Sequence, residues 1–230
     1  MGRGTPAKHA PYFEVLEALQ HTSACALCDL EVRAQQRYFD SLLYENVNDP
    51  GVRRELARSR GYCTRHAHAL VSFQDTLGTA ILYRDQVELF LAFLAGYTGA
   101  PCRRRWSRGK PQKEWVTGLR CPACRRQEEL RRTSISIVLT WLHDSELGSA
   151  FARAPGPCTP HLLALLDECV EGETRRFLVE TQRAKLARLA NDLDEFRRKS
   201  GYGGRHEAFG PERDAWVRAV VLMVGNREVF

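Results

Sequence analysis

Cys25-Ala26-Leu27-Cys28, Cys63-Thr64-Arg65-His66, Cys121-Pro122-Ala123-Cys124 and Cys158-Thr159-Pro160-His161 recur along this chain at ligand spacing. They give one order twice: Cys-x-x-Cys, a spacer, then Cys-x-x-His, with spacers of 34 residues (29–62) and 33 residues (125–157). An offset of 95 also superposes Asp49 on Asp144, Ala57-Arg58 on Ala152-Arg153, Gly61 on Gly156 and Thr64 on Thr159. Such self-similarity at a fixed period marks an internal duplication.

Two ligands two residues apart can turn both side chains toward one ion, and two such pairs complete a tetrahedron. Six thiolates and two imidazoles therefore predict two Cys3His sites. Pairing neighbours along the chain gives Cys25, Cys28, Cys63 and His66 as site 1, and Cys121, Cys124, Cys158 and His161 as site 2. Two Zn ions are the favoured cofactors, because borderline-soft Zn²⁺ suits three thiolates and one imidazole. An iron-sulfur cluster at one or both sites is the alternative, since such clusters rest mainly on thiolates but accept histidine. A redox dithiol explains a lone Cys-x-x-Cys but not a Cys-x-x-His at matched distance in both halves. Free core thiols have no reason to recur in register. Covalent haem needs histidine directly after the second cysteine, and Asp29 and Arg125 stand there. A site closed by four protein ligands stabilises a fold and leaves no position for activated water.

Outward from these motifs the periodicity is helical. Leu30, Ala34, Tyr38 and Leu42 predict a helix from Cys28 to about Val47, ended by Asp49-Pro50. A short return helix spans about Pro50 to Arg60, and a third runs from about Arg65 to Leu94 with Leu70, Phe73, Leu77 and Ile81 on one face. The second copy predicts helices over Arg125–Leu142, Ser145–Arg153 and about Pro160–Arg198. Thr64 and Thr159 are read as N-caps, and Gly61 and Gly156 as residues permitting a tight approach. Alternating strand patterns are nearly absent. The expected fold class is all-α: a duplicated three-helix metal-binding unit (long helix, short return helix, long helix) packed as one helical bundle. A short C-terminal helix, Glu212–Val224, closes it with an apolar face of Trp216, Ala219, Val220 and Met223. The stripe Leu186, Leu189, Leu193 and Phe196 is expected to pack on the other half. The corresponding division is a flexible N-terminus (1–9), a first repeat (10–98), a basic linker (99–118), a second repeat (119–200) and a C-terminal segment (201–230).

Composition bounds the remainder. With 230 residues, 43% hydrophobic and 27% charged, the chain is globular in character. Its eight cysteines are too sparse for a disulfide scaffold. No uninterrupted apolar run approaches the 18 or so residues of a membrane span, and no signal peptide is visible, so no membrane partner and a cytoplasmic location are expected. The net charge of +6 is concentrated: residues 103–132 hold eleven Lys or Arg against three Glu, a balance that singles out one segment. Arg103, Arg104, Arg105, Trp106, Arg108 and Lys110, with Trp115, could bind a phosphate backbone and stack on bases, or simply form a solvated linker. Asp194, Glu195, Arg197, Arg205, His206 and Glu207 form a second polar cluster, either a ligand pocket or an ion-paired helix junction. No Ser/His/Asp order, Walker loop or Glu-x-x-His motif accompanies it, so the expectation leans away from an enzyme and assigns no catalytic residue. Cys102 reads as a linker thiol and Cys169 as a packed helix residue.

Cys25-Ala-Leu-Cys28-Asp-Leu-Glu31, Tyr44-Glu-Asn-Val-Asn-Asp-Pro50, Gly61-Tyr-Cys-Thr-Arg-His66, Asp192-Leu-Asp-Glu-Phe-Arg-Arg-Lys199, Arg205-His-Glu207 and Asp214-Ala-Trp216 carry a further likeness. Together they resemble an uncharacterised bacterial family, a domain of unknown function, of cysteine-rich helical proteins. The likeness covers most of the chain and is weakest over residues 96–118. It implies a shared architecture and lends no activity, cofactor or substrate. The leading expectation is thus a metal-binding, zinc-stabilised scaffold that binds a protein or nucleic acid. An iron-sulfur or thiol redox protein and a nucleic-acid-binding protein are the alternatives.

Overall fold

The computed structural model describes residues 7–96, Trp115, and residues 120–204 and 206–230. Among them regular structure is entirely helical, with ten α-helices. They are α1 (Ala10–His21), α2 (Ala26–Ser41, continued by a π-helical turn at Leu42–Asn46), α3 (Pro50–Arg58), α4 (Thr64–Val71) and α5 (Thr76–Ala95). After the basic segment come α6 (Pro122–Trp141), α7 (Ser145–Arg153), α8 (Thr159–Glu168), α9 (Gly172–Ser200) and α10 (Ala215–Val224).

The return helices form where their capping residues dictate. The carboxylate of Asp49 accepts from Val52 N–H at the start of α3, and that of Asp144 from Glu146 and Leu147 N–H at the start of α7. The superposed aspartates therefore do the same work, satisfying N–H groups that have no partner within the helix. Gly61 (φ +88°) and Gly156 (φ +108°) then take the left-handed turn that precedes each Cys-x-x-His, a conformation that costs glycine little. Cys63 and Cys158 follow with near-identical dihedrals, φ −64°, ψ 164° and φ −66°, ψ 162°, and they occupy the N-cap positions expected for Thr64 and Thr159. The threonines are instead the first helical residues.

Each expected third helix is two helices. Ser72–Asp75 interrupts the first copy, with Gln74 at φ +58°, and Cys169–Glu171 interrupts the second. Asp75 then starts α5 afresh by accepting from Gly78 N–H at 2.7 Å, again as an N-cap. The breaks also reveal that the duplication extends further. Gly78, Leu82 and Gln86 are the buried residues of α5, and Thr174, Leu178 and Gln182 lie buried in α9 at an offset of 96.

The chain divides into two compact units that are not the consecutive repeats. Unit 1 combines Met1–Arg33 with Leu130–Phe230, and unit 2 is Ala34–Glu129. The core of unit 1 gathers Tyr12, Leu16, Leu30, Ile135, Leu147 and Leu165. Its first helix, α1, packs on α7, and Lys8 just before it pairs with Asp144 at 3.2 Å, so the residues from Lys8 onward are tied down. A second cluster in unit 1 closes Leu189 and Leu193 of α9 against Ala215 and Leu222 of α10. Leu189 and Leu193 of the expected stripe therefore pack on the C-terminal helix, whereas Phe196 meets Phe209 and Leu186 is exposed. Trp216, Val220 and Met223, expected as that helix's buried face, are exposed, because Ala215, Ala219 and Leu222 form the face against α9. The core of unit 2 centres on Phe39, Leu56, Tyr62, Leu70 and Leu82. There Phe39 makes edge contacts with Tyr62 and Phe73, the arrangement that ring quadrupoles favour.

Candidate metal centres

The first turns of α2 and α8 meet in unit 1, and those of α6 and α4 meet in unit 2. Cys25 immediately precedes α2 and Cys28 lies in its first turn; Cys158 caps α8 and His161 follows one turn in. These four residues form one tetrad, and Cys63, His66, Cys121 and Cys124 form the other, each with its ligand atoms within 4.8 Å of one another. All eight expected ligands are present, but the pairing along the chain is corrected: each Cys-x-x-Cys joins the Cys-x-x-His of the other repeat.

Helix lengths explain the exchange. At the rise of an α-helix, twenty residues carry the chain about 30 Å away from its own Cys-x-x-Cys, whereas a nine-residue return helix brings it back only about 13 Å. These are the lengths of α6 and α7. In the first copy the residues after the return helix reverse direction, with Gly61 N–H bonded to Leu56 C=O at 2.9 Å, and add little distance. The return helix is thus too short to bring the Cys-x-x-His back to the motif that precedes it in sequence.

In unit 1, His161 Nδ1 lies 3.4 Å from Cys25 Sγ, 3.5 Å from Cys28 Sγ and 3.3 Å from Cys158 Sγ, and Cys28 and Cys158 sulfurs are 3.6 Å apart. In unit 2, His66 Nδ1 lies 3.2 Å from Cys63 Sγ, 3.3 Å from Cys124 Sγ and 3.6 Å from Cys121 Sγ, with Cys63 and Cys124 sulfurs 3.6 Å apart. Metal–sulfur bonds of about 2.3 Å at tetrahedral angles give edges of roughly 3.5–4 Å, so both tetrads have the dimensions of a four-coordinate ion. Placement at helix N-termini further favours thiolates.

The surroundings of the tetrads differ. All four ligands of unit 1 are buried, whereas Cys63 and Cys124 of unit 2 are partly exposed. His161 Nε2–H faces Glu31 Oε1 at 2.8 Å, and the buried Glu31 carboxylate accepts two hydrogen bonds from Arg131, each of 2.7 Å. Glu31 lies three residues after Cys28; Gln127, three after Cys124, is its counterpart. Gln127 Oε1 accepts from Arg65 at 2.7 Å, and the buried His66 Nε2 has no hydrogen-bond partner among the described residues. Burial and the neighbouring Arg65 push the His66 imidazole down to about 4, both effects disfavouring its cationic form. Burial also opposes charge on His161, but its bonds to Cys158, Cys25 and Glu31 outweigh it and raise that imidazole to about 11. Hydrogen bonds accepted from Cys158 and Cys28 hold the Cys25 thiol well below its usual range, while Cys28, whose thiol donates to Cys158 and Cys25, is raised. Burial and the neighbouring Cys121 push Cys124 up to about 12. Without a cation each tetrad thus retains protons among its sulfurs, and a bound cation displaces them.

The carboxylate and amide after the second cysteines escaped the spacing argument. Their signal is the in-register Cys-x-x-Cys-x-x-Glu and Cys-x-x-Cys-x-x-Gln, which places a polar group on the ligand-bearing helix face.

The chain matches the profile of a family described as a family of unknown function, DUF6062, over residues 9–229. The chain belongs to the DUF6062 family. A relative in Caldicellulosiruptor sp. (strain Rt8B.4), described as an uncharacterized 23.9 kDa protein in the xynA 3′ region, is 28% identical over 208 residues. That alignment covers 88% of this chain and 96% of the relative. No solved structure matches the chain. The family and its helical, cysteine-rich character agree with the resemblance read from the sequence.

The other candidate residues lie apart from the tetrads or outside the description. Cys102, Arg103, Arg104, Arg105, Trp106, Arg108, Lys110 and Arg205 are outside the described residues. The Trp115 ring contacts Phe90 and Phe93 at 4.7 and 4.9 Å, with the Arg60 guanidinium over it. Arg197 pairs with Asp194, Arg198 pairs with both Glu195 and Glu207, and His206 is exposed. Cys169 is buried at the break after α8, not within a helix. No helix among the described residues is long and apolar enough to cross a membrane.

Proposed function

We propose that this is a helical scaffold protein stabilised by two structural zinc ions, each linking a Cys-x-x-Cys of one repeat to the Cys-x-x-His of the other. The observation that carries this reading is the pair of Cys3His tetrads whose ligand atoms all lie within 4.8 Å of one another, with each histidine nitrogen 3.2–3.6 Å from its three sulfurs. Ligands bound to different irons of a cluster must stand further apart than the 4.8 Å that encloses all four ligand atoms of each tetrad, since the irons intervene. That spacing favours a single ion over an iron-sulfur cluster. Three thiolates and one imidazole suit zinc, and zinc would supply a cross-link and charge neutralisation. With four protein ligands no position is left for substrate or activated water, which favours a structural over a catalytic role. Structural zinc contributes on the order of 10 kcal/mol to folding in small zinc domains, enough to hold the helix starts together.

Metal analysis of anaerobically purified protein tests the reading. Two zinc per chain and no visible absorption support it; stoichiometric iron and sulfide with absorption near roughly 400 nm contradict it. Chelation that leaves far-UV circular dichroism and melting temperature unchanged contradicts the structural role.

A further inference from the structure

Unit 1 carries a cleft of about 470 Å³ between the Ala152–Pro155 segment, α9 and α10. This is the scale of small-molecule sites, roughly 300–1,000 Å³. Its buried floor includes Leu189 and Leu222, with Val221 beside them. Its polar groups are unevenly matched. The two lining acids, Asp192 and Asp214, both pair with Arg218, at 3.1 and 2.7 Å. Lys185 donates to Phe151 C=O at 2.6 Å and has no carboxylate partner among the described residues. Among the described residues Arg153 and Arg188 have no hydrogen-bond or ion-pair partner. Burial and the nearby Arg188 push the Lys185 amine down to about 8, the response of a cation in a region already positive. An apolar floor under unmatched cations is the complement of an amphipathic anion.

We propose that this cleft binds a small organic anion, a carboxylate or phosphate group carried on an apolar body. Arg153 and Arg188 pair with the anionic head, and Leu189, Val221 and Leu222 receive the apolar part. Arginine's planar fork suits either head group. The site is independent of the zinc reading, although Cys25 lies at its edge.

Calorimetric titration of the full, metal-loaded chain with octanoate, octyl phosphate, octanol and inorganic phosphate tests the proposal. One octyl anion binds saturably at one site, at least tenfold tighter than octanol or inorganic phosphate, and the tighter of the two anions identifies the head group. The double variant Arg153→Gln/Arg188→Gln weakens that binding at least tenfold. Both arginines are exposed, so the variant retains its helicity and metal content, which are measured on the same sample. Octanol binding as tightly as octanoate, no saturable binding of either anion, or unchanged affinity in the double variant overturns the proposal.

Discussion

Glu31 Oε1 lies 2.8 Å from Nε2 of His161, on the side of the ring away from the three sulfurs. The carboxylate would fix which nitrogen faces a bound ion, and Arg131 holds the carboxylate. Glu31→Gln keeps an acceptor but loses the charge. We expect it to weaken metal binding at the unit 1 tetrad by roughly tenfold to a hundredfold and leave the unit 2 tetrad unchanged. Chelator competition resolves the two ions; equal weakening of both sites, or of neither, argues against this role.

The unequal burial of the tetrads sets their order of reactivity. Cys63 and Cys124 are partly exposed, whereas Cys25, Cys28 and Cys158 are buried. Limited alkylation of the metal-loaded protein followed by peptide mass spectrometry should label Cys63 and Cys124 first, with metal leaving unit 2 before unit 1. Simultaneous labelling of all six ligand cysteines contradicts the expected order.

The left-handed glycines should differ in their tolerance. A Cβ on Gly156 stands 2.6 Å from Gln182 Oε1, while one on Gly61 meets nothing closer than 3.7 Å. Gly61→Ala meets only the conformational penalty, about 1–3 kcal/mol. Gly156→Ala adds a clash with Gln182, whose amide donates to Pro157 C=O at 3.1 Å, and should cost more. Chemical denaturation of both variants measures the difference, and equal destabilisation would show that the Gln182 contact relaxes freely.

Acid stability should depend on Asp144. Its backbone bond from Leu147 and side-chain bonds from Tyr12 and Lys8 lower its carboxyl from 3.8 to about 2. A lowered folded-state value makes this stabilisation complete above pH 3.8 and removes it as pH falls through about 2, because the unfolded chain takes up the proton first. Asp144→Asn should therefore differ most from the parent above pH 4, and the difference in urea midpoint should shrink toward pH 2. A difference independent of pH would assign the effect to the lost cap geometry alone.

The ligands, the duplication and the all-helical class were legible because ligand spacing and helical periodicity are local properties. Asp49 and Asp144, and Gly61 and Gly156, could be matched for the same reason. Which Cys-x-x-Cys meets which Cys-x-x-His was not legible. That depends on the unequal lengths of α6 and α7, and the corresponding pair in the first copy, and hence on a distance accumulated over many residues. The break after Val71 was hidden because apolar residues, Leu70, Val71 and Phe73, continue across it, while Gln74's positive φ marks the turn. Hydrophobicity alone points Trp216 inward, but small Ala215 and Ala219 permit the closer approach to α9.

The exchanged pairing of the repeats is tested most directly by Cys158→Ser, with cysteine accessibility read by alkylation and mass spectrometry alongside zinc stoichiometry. Loss of one zinc, with Cys25 and Cys28 becoming reactive while Cys121 and Cys124 keep their parental rates, is the result predicted by the tetrad geometry. Exposure of Cys121 and Cys124, with Cys25 and Cys28 still protected, would contradict it.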